Sequence, residues 1–398
     1  MTTKEREEFN AAFSQDKYRQ YLAYIEKDFP GALDFRVAET PVFVDKIFKQ
    51  KLLSAGNAII DRITSPGFKA LTDKAIPSDI DIQGDEGQPH FLILDFGICE
   101  GKGGAYDPML IEMQAFPSLF AYQLHQYEAA ANAYSLPENF SPFFNGFDQE
   151  KSIALLKEML VADGDPENTV LLEIFPEKQK TRIDFLYTEK YLGIPTVCVT
   201  ELIKEGRNLF YEKEGRKIKI DRIYNRLIFD ELYRLPEDVQ EKAKILYKDI
   251  DVKWVTHPNW FYRISKYSLP FIQHPNVPET HFLNDLETIP DDLENYVLKP
   301  LFSFAGNGVI IDVKPEDIDK IQDKENYILQ KKVKYASAIK TLDENAKAEI
   351  RLFYFWKEGA DKPILAYSLA RLTKGNMISV ALNKNKTWVG GTFALFEE

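Results

Sequence analysis

The chain contains little cysteine. Its 398 residues include two, Cys99 and Cys198. They supply neither a disulfide framework nor the paired spacing of a zinc site, so we expect a reducing, cytoplasmic environment. Long apolar runs are missing as well: half of the first ten residues are charged, and no segment approaches the roughly 20 apolar residues of a membrane helix. We therefore expect no signal core and no membrane partner.

Positive charge is also in deficit. Lys and Arg number 50 against 62 Asp and Glu, which gives a formal net charge of −12. This balance argues against general binding to nucleic acid, although it allows a local basic pocket. A hydrophobic content of 44% fits a packed globular chain with room for two or three domains. Internal repeats and low-complexity segments are absent.

Periodic patterns divide the chain into four predicted domains of a mixed α+β and α/β fold. Residues 1–87 have a mainly helical pattern, and residues 88–166 combine strands and helices. Residues 167–235 form a strand–helix–strand (βαβ) pattern, which favours a parallel sheet. Residues 236–398 are helical to about 275 and rich in strands after 296.

Individual elements follow from runs of apolar residues. A helix is expected from 178 to 191, with Gly193 as its C-terminal cap. Strands are expected at 91–98, 109–114, 169–175, 196–199, 217–224, 296–298, 309–313, 327–333, 350–356, 364–372 and 387–396.

A strand that ends in Lys299-Pro300 leads into a loop with Gly306, Asn307 and Gly308. Glycines let backbone N–H groups approach an anion closely, and a lysine adds a point charge that suits phosphate. We interpret the segment as a triphosphate clamp on a β-hairpin. A Walker A loop is excluded, because it requires a Gly-Lys-Ser/Thr ending followed by a helix. The alternative is an ordinary hairpin with a glycine turn.

Acidic residues follow two neighbouring predicted strands. Asp95 lies on one, and Glu112 and Gln114 lie two residues apart on the other, where they share a face. Two carboxylates and an amide oxygen are the hard ligands that Mg²⁺ prefers. The alternative is that these carboxylates are solvated residues at a sheet edge.

Basic residues gather later in the chain, at Lys266, Lys299, Arg351, Arg371 and Lys374. The two arginines lie within apolar strands, and a guanidinium in such surroundings requires an anion or a carboxylate partner. They are therefore candidates for catalysis, with structural salt bridges as the alternative.

A third feature is the strand at 327–333, which becomes polar at Gln330 and Lys331. Such a segment could form a hinge between two lobes, where backbone groups and these side chains would meet an adenine edge. The alternative is a plain strand with a polar end.

Together these motifs resemble the circularly permuted ATP-grasp ligases, especially glutathionylspermidine synthase and, more distantly, eukaryotic glutathione synthetase. The residues that carry the resemblance are Asp-Phe-Gly-Ile-Cys at 95–99, Glu-Met-Gln-Ala-Phe-Pro-Ser at 112–118, Ile-Ser-Lys at 264–266, Tyr-Val-Leu-Lys-Pro at 296–300, the strand at 327–333 and Ala-Arg-Leu-Thr-Lys at 370–374. The resemblance spans about residues 88–398, with residues 167–235 in the place of the preATP-grasp βαβ domain.

The resemblance implies an ATP- and Mg²⁺-dependent ligase. Asp95, Glu112 and Gln114 would hold magnesium, with two ions expected, while Lys266 and Lys299 would bind phosphates. The glycine loop would close over the γ-phosphate, and Arg371 would hold a carboxylate or an acyl phosphate. Two departures stand out: Gln114 replaces an asparagine of the family, and Ile93 replaces an arginine for which Arg351 could compensate.

We therefore expect a carboxylate–amine ligase that acts on small-molecule substrates through an acyl phosphate. Two alternatives stay open: a phosphotransferase that acts on a hydroxyl, and a nucleotide-binding protein without catalysis. The sequence leaves the oligomeric state undecided, with a homodimer among the options.

Overall fold

The structure is a computed structural model, and it describes all residues except 79, 81, 86, 233, 303–307, 376–382 and 384. The helices within the described residues are α1 (Thr3–Ala12), α2 (Gln15–Ile25), α3 (Lys46–Ile63), α4 (Phe68–Leu71), α5 (Phe120–Ala133), α6 (Gln149–Leu160), α7 (Arg182–Leu192), α8 (Phe229–Leu232), α9 (Glu237–Ala243), α10 (Asn259–Arg263) and α11 (Pro315–Asp319). Within the described part of the chain, no helix combines the length and the apolar character that crossing a bilayer needs.

Strands are distributed over five sheets. In chain order they are β1 (Val42–Val44), β2 (Phe91–Glu100), β3 (Tyr106–Gln114), β4 (Phe140–Ser141), β5 (Thr169–Glu173), β6 (Thr196–Cys198), β7 (Ile203–Glu205), β8 (Asn208–Lys213), β9 (Arg216–Ile220), β10 (Arg222–Asn225), β11 (Lys253–Val255), β12 (Thr280–Phe282), β13 (Tyr296–Pro300), β14 (Tyr327–Lys331), β15 (Lys347–Phe355), β16 (Ile364–Thr373), β17 (Gly390–Thr392) and β18 (Ala394–Glu397). The mixed α+β class expected from the sequence is confirmed.

The central sheet has the order β17-β16-β15-β2-β3, and its neighbouring strands are antiparallel. Strand β2 is an almost unbroken apolar run, because it is buried on both faces. Leu92 and Leu94 on one face pack in the same core as Leu52 of α3. Phe91 and Ile93 on the other face share a core with residues of α5 and α6. This sheet joins two segments that are far apart in the sequence.

A second sheet, β11-β10-β5-β6, is parallel throughout. The βαβ unit predicted from the sequence is present as β5–α7–β6, and Gly193 follows α7 with a φ of 73°. The strand expected at 217–224 is interrupted at Asp221. Its first part, β9, joins the antiparallel sheet β7-β8-β9, and its second part, β10, joins the parallel sheet.

A small antiparallel sheet has the strand order β12-β14-β13, and its strands precede β15 of the central sheet in the sequence. Residues 332–336 lead away from β14, and Tyr335 forms a β-bridge with Cys99 at the end of β2. The strand expected at 309–313 is reduced to one bridge between Ile310 and Leu298, which still closes a hairpin. The helical pattern expected over 240–275 contains the short strand β11.

The remaining sheet, β1-β18-β4, combines the two ends of the chain. Strand β18 pairs in parallel with β1 and antiparallel with β4. The four-part division at residues 87, 166 and 235 stays a prediction of domain boundaries.

Candidate active site

Register in the central sheet brings Asp95 and Arg351 together. Asp95 lies opposite Arg351 on one side and opposite Glu112 on the other. The Arg351 Nε and Nη2 atoms donate to the two oxygens of Asp95 at 2.6 Å each, and Arg371 Nη2 donates to Oδ2 at 2.8 Å. Burial alone would raise the pKa of Asp95, but the two guanidinium groups outweigh it and hold that pKa below its usual value.

Glu349 extends this cluster. It lies opposite Arg371, and its Oε2 accepts a hydrogen bond from Arg371 Nη2 at 2.8 Å. The hydroxyl of Tyr335 donates to the other oxygen. Burial opposes the charged form of Arg371, but Asp95 and Glu349 outweigh it and raise its pKa. Sequence reasoning missed Glu349 and Tyr335. The available signal was a second charged residue, two positions before Arg351 and flanked by the apolar Ala348 and Ile350.

Two lysines, one buried (Lys266) and one half-buried (Lys299), approach this cluster from other elements. Lys299 at the end of β13 donates from Nζ to Gln330 Oε1 at 2.6 Å and to the Ile111 carbonyl oxygen at 3.4 Å. Burial lowers the pKa of Lys299 to about 8, against the opposing effect of Glu112. Burial likewise lowers the pKa of Lys266, which begins a short 3₁₀ helix, and Glu112 again opposes the shift.

The structure therefore brings together residues that the sequence placed far apart. Asp95 and Glu112 in β2 and β3, Arg351 and Arg371 in β15 and β16, and the two lysines meet where the small and central sheets adjoin. Fixed positive charge exceeds fixed negative charge among the two lysines, two arginines and three carboxylates. Since ammonium groups in low dielectric seek counter-charges, the site favours an anionic ligand.

Gln330 and Lys331 have opposite surroundings, as neighbours on a strand should. Gln330 is buried between Lys299 and Thr280, to whose hydroxyl its amide donates at 2.9 Å. Lys331 is exposed and forms an ion pair with Glu279 at 2.8 Å. Only Gln330 of this pair therefore faces the cluster.

The remaining predicted binding residues are Lys374 and the glycine loop, part of which lies outside the described residues. Lys374 donates to Asp343 at 2.5 Å. Gly308 has a φ of 72°, and a Cβ atom there would lie 2.9 Å from Pro300 Cγ, so the hairpin requires glycine at this position. Gly306 and Asn307 lie outside the described residues.

The proposed magnesium ligands do not form a ready cation site in this arrangement. Both oxygens of Asp95 accept hydrogen bonds from arginine, which leaves Glu112 and Gln114 of the predicted set. Among the described residues, no group of three His, Cys, Asp or Glu side chains is arranged to hold a metal ion. A cation at Asp95 would have to displace a guanidinium, so the residues do not fit the ion as they stand, and magnesium binding stays a prediction.

Comparisons with known proteins bear on the fold. No model of a protein family matches the chain, and no curated protein matches it. The chain is similar to the solved apo structure of a glutathione synthetase-like effector from Globodera pallida, with a TM-score of 0.58 and 10% sequence identity. The match covers 96% of this chain and 97% of that one. At this identity the likeness shows a shared overall fold, related to that of a glutathione synthetase-like protein.

Proposed function

We propose that the chain is an ATP-dependent carboxylate–amine ligase of ATP-grasp type. The observation that carries this proposal is a pair of lysines, the buried Lys266 and the half-buried Lys299, placed between two sheets and opposite an arginine–carboxylate cluster. The glutathione synthetase-like fold of the structural neighbour supports the same class.

In the proposed reaction ATP supplies the phosphoryl group. Lys299 and Lys266 bind phosphate oxygens as ammonium groups, while Arg371 orients the substrate carboxylate that receives the phosphoryl group. A substrate amine then attacks the resulting acyl phosphate, so that an amide forms, phosphate leaves and the amine loses a proton. The protein acts through positioning and charge stabilisation. No step here is assigned to a metal ion.

Nucleotide binding is tested by replacing Lys299. The Lys299→Met variant loses an ammonium group at the proposed phosphate site, and a hydrogen bond to a charged group is worth about 1.5–3 kcal/mol. We therefore expect ATP affinity, measured by isothermal titration calorimetry, to fall roughly ten-fold or more. Lys331→Met is the matched control, since Lys331 is exposed, ends strand β14 of the same sheet and pairs with Glu279 rather than facing the cluster. Equal affinity in wild type and Lys299→Met would refute this site.

Catalysis is tested separately by ADP release over a panel of carboxylates and amines. Release that requires one of each supports the ligase, and release with a hydroxyl acceptor alone indicates a phosphotransferase. Glu112→Ala should abolish turnover, because Glu112 is the carboxylate whose charge acts on both Lys266 and Lys299. Full activity in this variant would count against the proposal.

A second candidate is a nucleotide-binding protein without catalysis. The specific observation in its favour is that both oxygens of Asp95 already accept hydrogen bonds from arginine. ATP binding without ADP release under every substrate pair would select this alternative.

A further inference from the structure

Tyr335 lies in the segment that joins the small sheet to the central sheet, which we call the linker (residues 332–336). At one end, Lys332 N donates at 2.8 Å to the carbonyl of Asn295, the residue directly before strand β13 of the small sheet. At the other end, Ala336 N donates to the Ile98 carbonyl at 2.9 Å, and Glu100 N donates to the Lys334 carbonyl at 2.8 Å. The linker is therefore held by backbone bonds on both sides, with Tyr335 at its central-sheet end.

The ring of Tyr335 rests on a surface that only glycine provides. A Cβ atom at Gly97 would lie 2.8 Å from Tyr335 Cε1 and 3.1 Å from Ile111 Cδ1. Gly97 follows Asp95 by two residues on the same strand, so it lies on the same face of the sheet. The missing side chain at Gly97 thus gives the linker tyrosine access to the face that carries the charged cluster.

The hydroxyl of Tyr335 ends in that cluster. It donates to Glu349, whose other oxygen accepts from Arg371 at 2.8 Å; Arg371 in turn donates to Asp95 at 2.8 Å. Several charged or titratable groups interact electrostatically with Glu349. They are Asp95 and Cys99 on β2, Lys299 on β13, Tyr335, Arg351 on its own strand and Arg371 on β16. A single hydrogen-bonded path therefore runs from the linker to the arginines.

We infer that Tyr335 is a positioning residue that fixes the orientation of the small sheet relative to Arg371 and Asp95. Its ring and its hydroxyl attach the linker to the central sheet at a point that the backbone bonds alone do not reach. If ATP binds between the two sheets, this attachment also sets the distance between Lys299 and Arg371. That last consequence rests on the proposed function, whereas the attachment itself does not.

Pulsed electron paramagnetic resonance tests the attachment without any ligand. Spin labels at Lys320→Cys, after α11, and Lys362→Cys, between β15 and β16, report the distance between the two sheets. Both positions are exposed, and the native cysteines are buried. Tyr335→Phe removes the hydroxyl that binds Glu349. Tyr354→Phe is the matched control, because Tyr354 is a buried tyrosine of the central sheet and its hydroxyl has no hydrogen-bond partner among the described residues.

We expect a narrow distance distribution in the labelled wild-type chain and in Tyr354→Phe, and a clearly broader one in Tyr335→Phe. An unchanged width in Tyr335→Phe would overturn the inference, as would equal broadening in both variants. Should Tyr335→Phe fail to fold, Gly97→Ala takes its place, since the added Cβ atom displaces the Tyr335 ring while the hydroxyl is kept. A broader distance distribution is again expected, and an unchanged one would overturn the inference.

ATP then separates this inference from the proposed function. If ATP binds wild type, Tyr335→Phe should bind it roughly ten-fold more weakly, because the competent orientation is less populated, while Tyr354→Phe should bind as wild type does. Equal ATP affinity in wild type and Tyr335→Phe would contradict a positioning role. A wild-type chain that does not bind ATP contradicts the proposed function, and the label distances alone then decide on Tyr335.

Discussion

At the scale of single residues, Asp95 is the most constrained side chain of the site. It is fully buried, and its carboxylate is the shared partner of Arg351 and Arg371. Removing one member of a buried ion pair leaves an uncompensated charge, which is more costly than the pair is favourable. We expect Asp95→Asn to lower the free energy of unfolding by about 3 kcal/mol in urea titrations at pH 7.

The control for this change is Asp107→Asn on the neighbouring strand β3. Asp107 forms an ion pair with Lys51 at 2.6 Å, but both side chains are about one-third exposed. Such a pair contributes less than about 1 kcal/mol. Equal losses in the two variants would contradict the view that burial makes the Asp95 cluster costly to break.

Lys299 gives the site a pH dependence whose sign follows from its burial. Its pKa is about 8 in the folded chain and about 10.4 when unfolded, so the unfolded chain binds more protons between these values. Stability should therefore rise with pH over this window, whereas the full cost of desolvating the Lys299 ammonium group is present below pH 8.

The measurement compares urea unfolding of wild type and Lys299→Met at pH 7 and at pH 10. Between pH 7 and pH 10, the free energy of unfolding of wild type should rise by about 1–3 kcal/mol relative to that of the variant. A difference that is the same at both pH values would mean that Lys299 titrates normally.

Residue-scale reasoning from the sequence placed Arg351 and Arg371 in an anionic environment because each lies within apolar strands. It did not identify Asp95 as their partner, and assigned that residue to magnesium. The pairing depends on the register of β2 against β15, which joins positions 256 residues apart. No local pattern specifies such a register, since it is set by packing on both faces of the sheet.

At the scale of elements, the strands with long apolar runs were predictable and the short ones were not. Strands β2, β15 and β16 have nine or ten residues each, which gives a strong pattern. Strand β11 has three residues beside helical segments, and its strand state comes from pairing with β10. The break between β9 and β10 is likewise a tertiary effect, because the two strands belong to different sheets.

The end of α7 provides a test at this scale. Gly193 adopts a φ of 73° where the helix stops and the chain turns toward β6, and an L side chain is strained there. Gly193→Ala should destabilise the chain by about 1 kcal/mol in thermal or urea unfolding. Gly391→Ala is the comparison, since a Cβ there meets Phe35 at an ordinary 3.7 Å without a positive φ. A larger loss at Gly391 would speak against backbone strain as the cause.

At the scale of the whole molecule, the sequence predicted the mixed fold class. It did not predict that the first and last strands would share a sheet. Strand β18 lies between β1 and β4 and buries Leu395 and Phe396 in different cores. The two ends of the chain therefore contribute to the same packed structure as the site.

A core substitution in β18 should therefore lower the stability of the whole molecule. Phe396 is fully buried, and its ring lies 4.6 Å from that of Phe144, so Phe396→Ala should cost about 3–5 kcal/mol. We expect the unfolding midpoints measured by far-ultraviolet circular dichroism and by tryptophan fluorescence to fall by the same amount. The two probes cover distant parts of the chain, because Trp254 lies in the parallel-sheet core and Trp388 lies near the N-terminal helices. Leu342→Ala, at a leucine that is 59% exposed, should change neither midpoint appreciably. A shift confined to one probe would show instead that the chain ends form a separate unit, which unfolds independently of the central sheet.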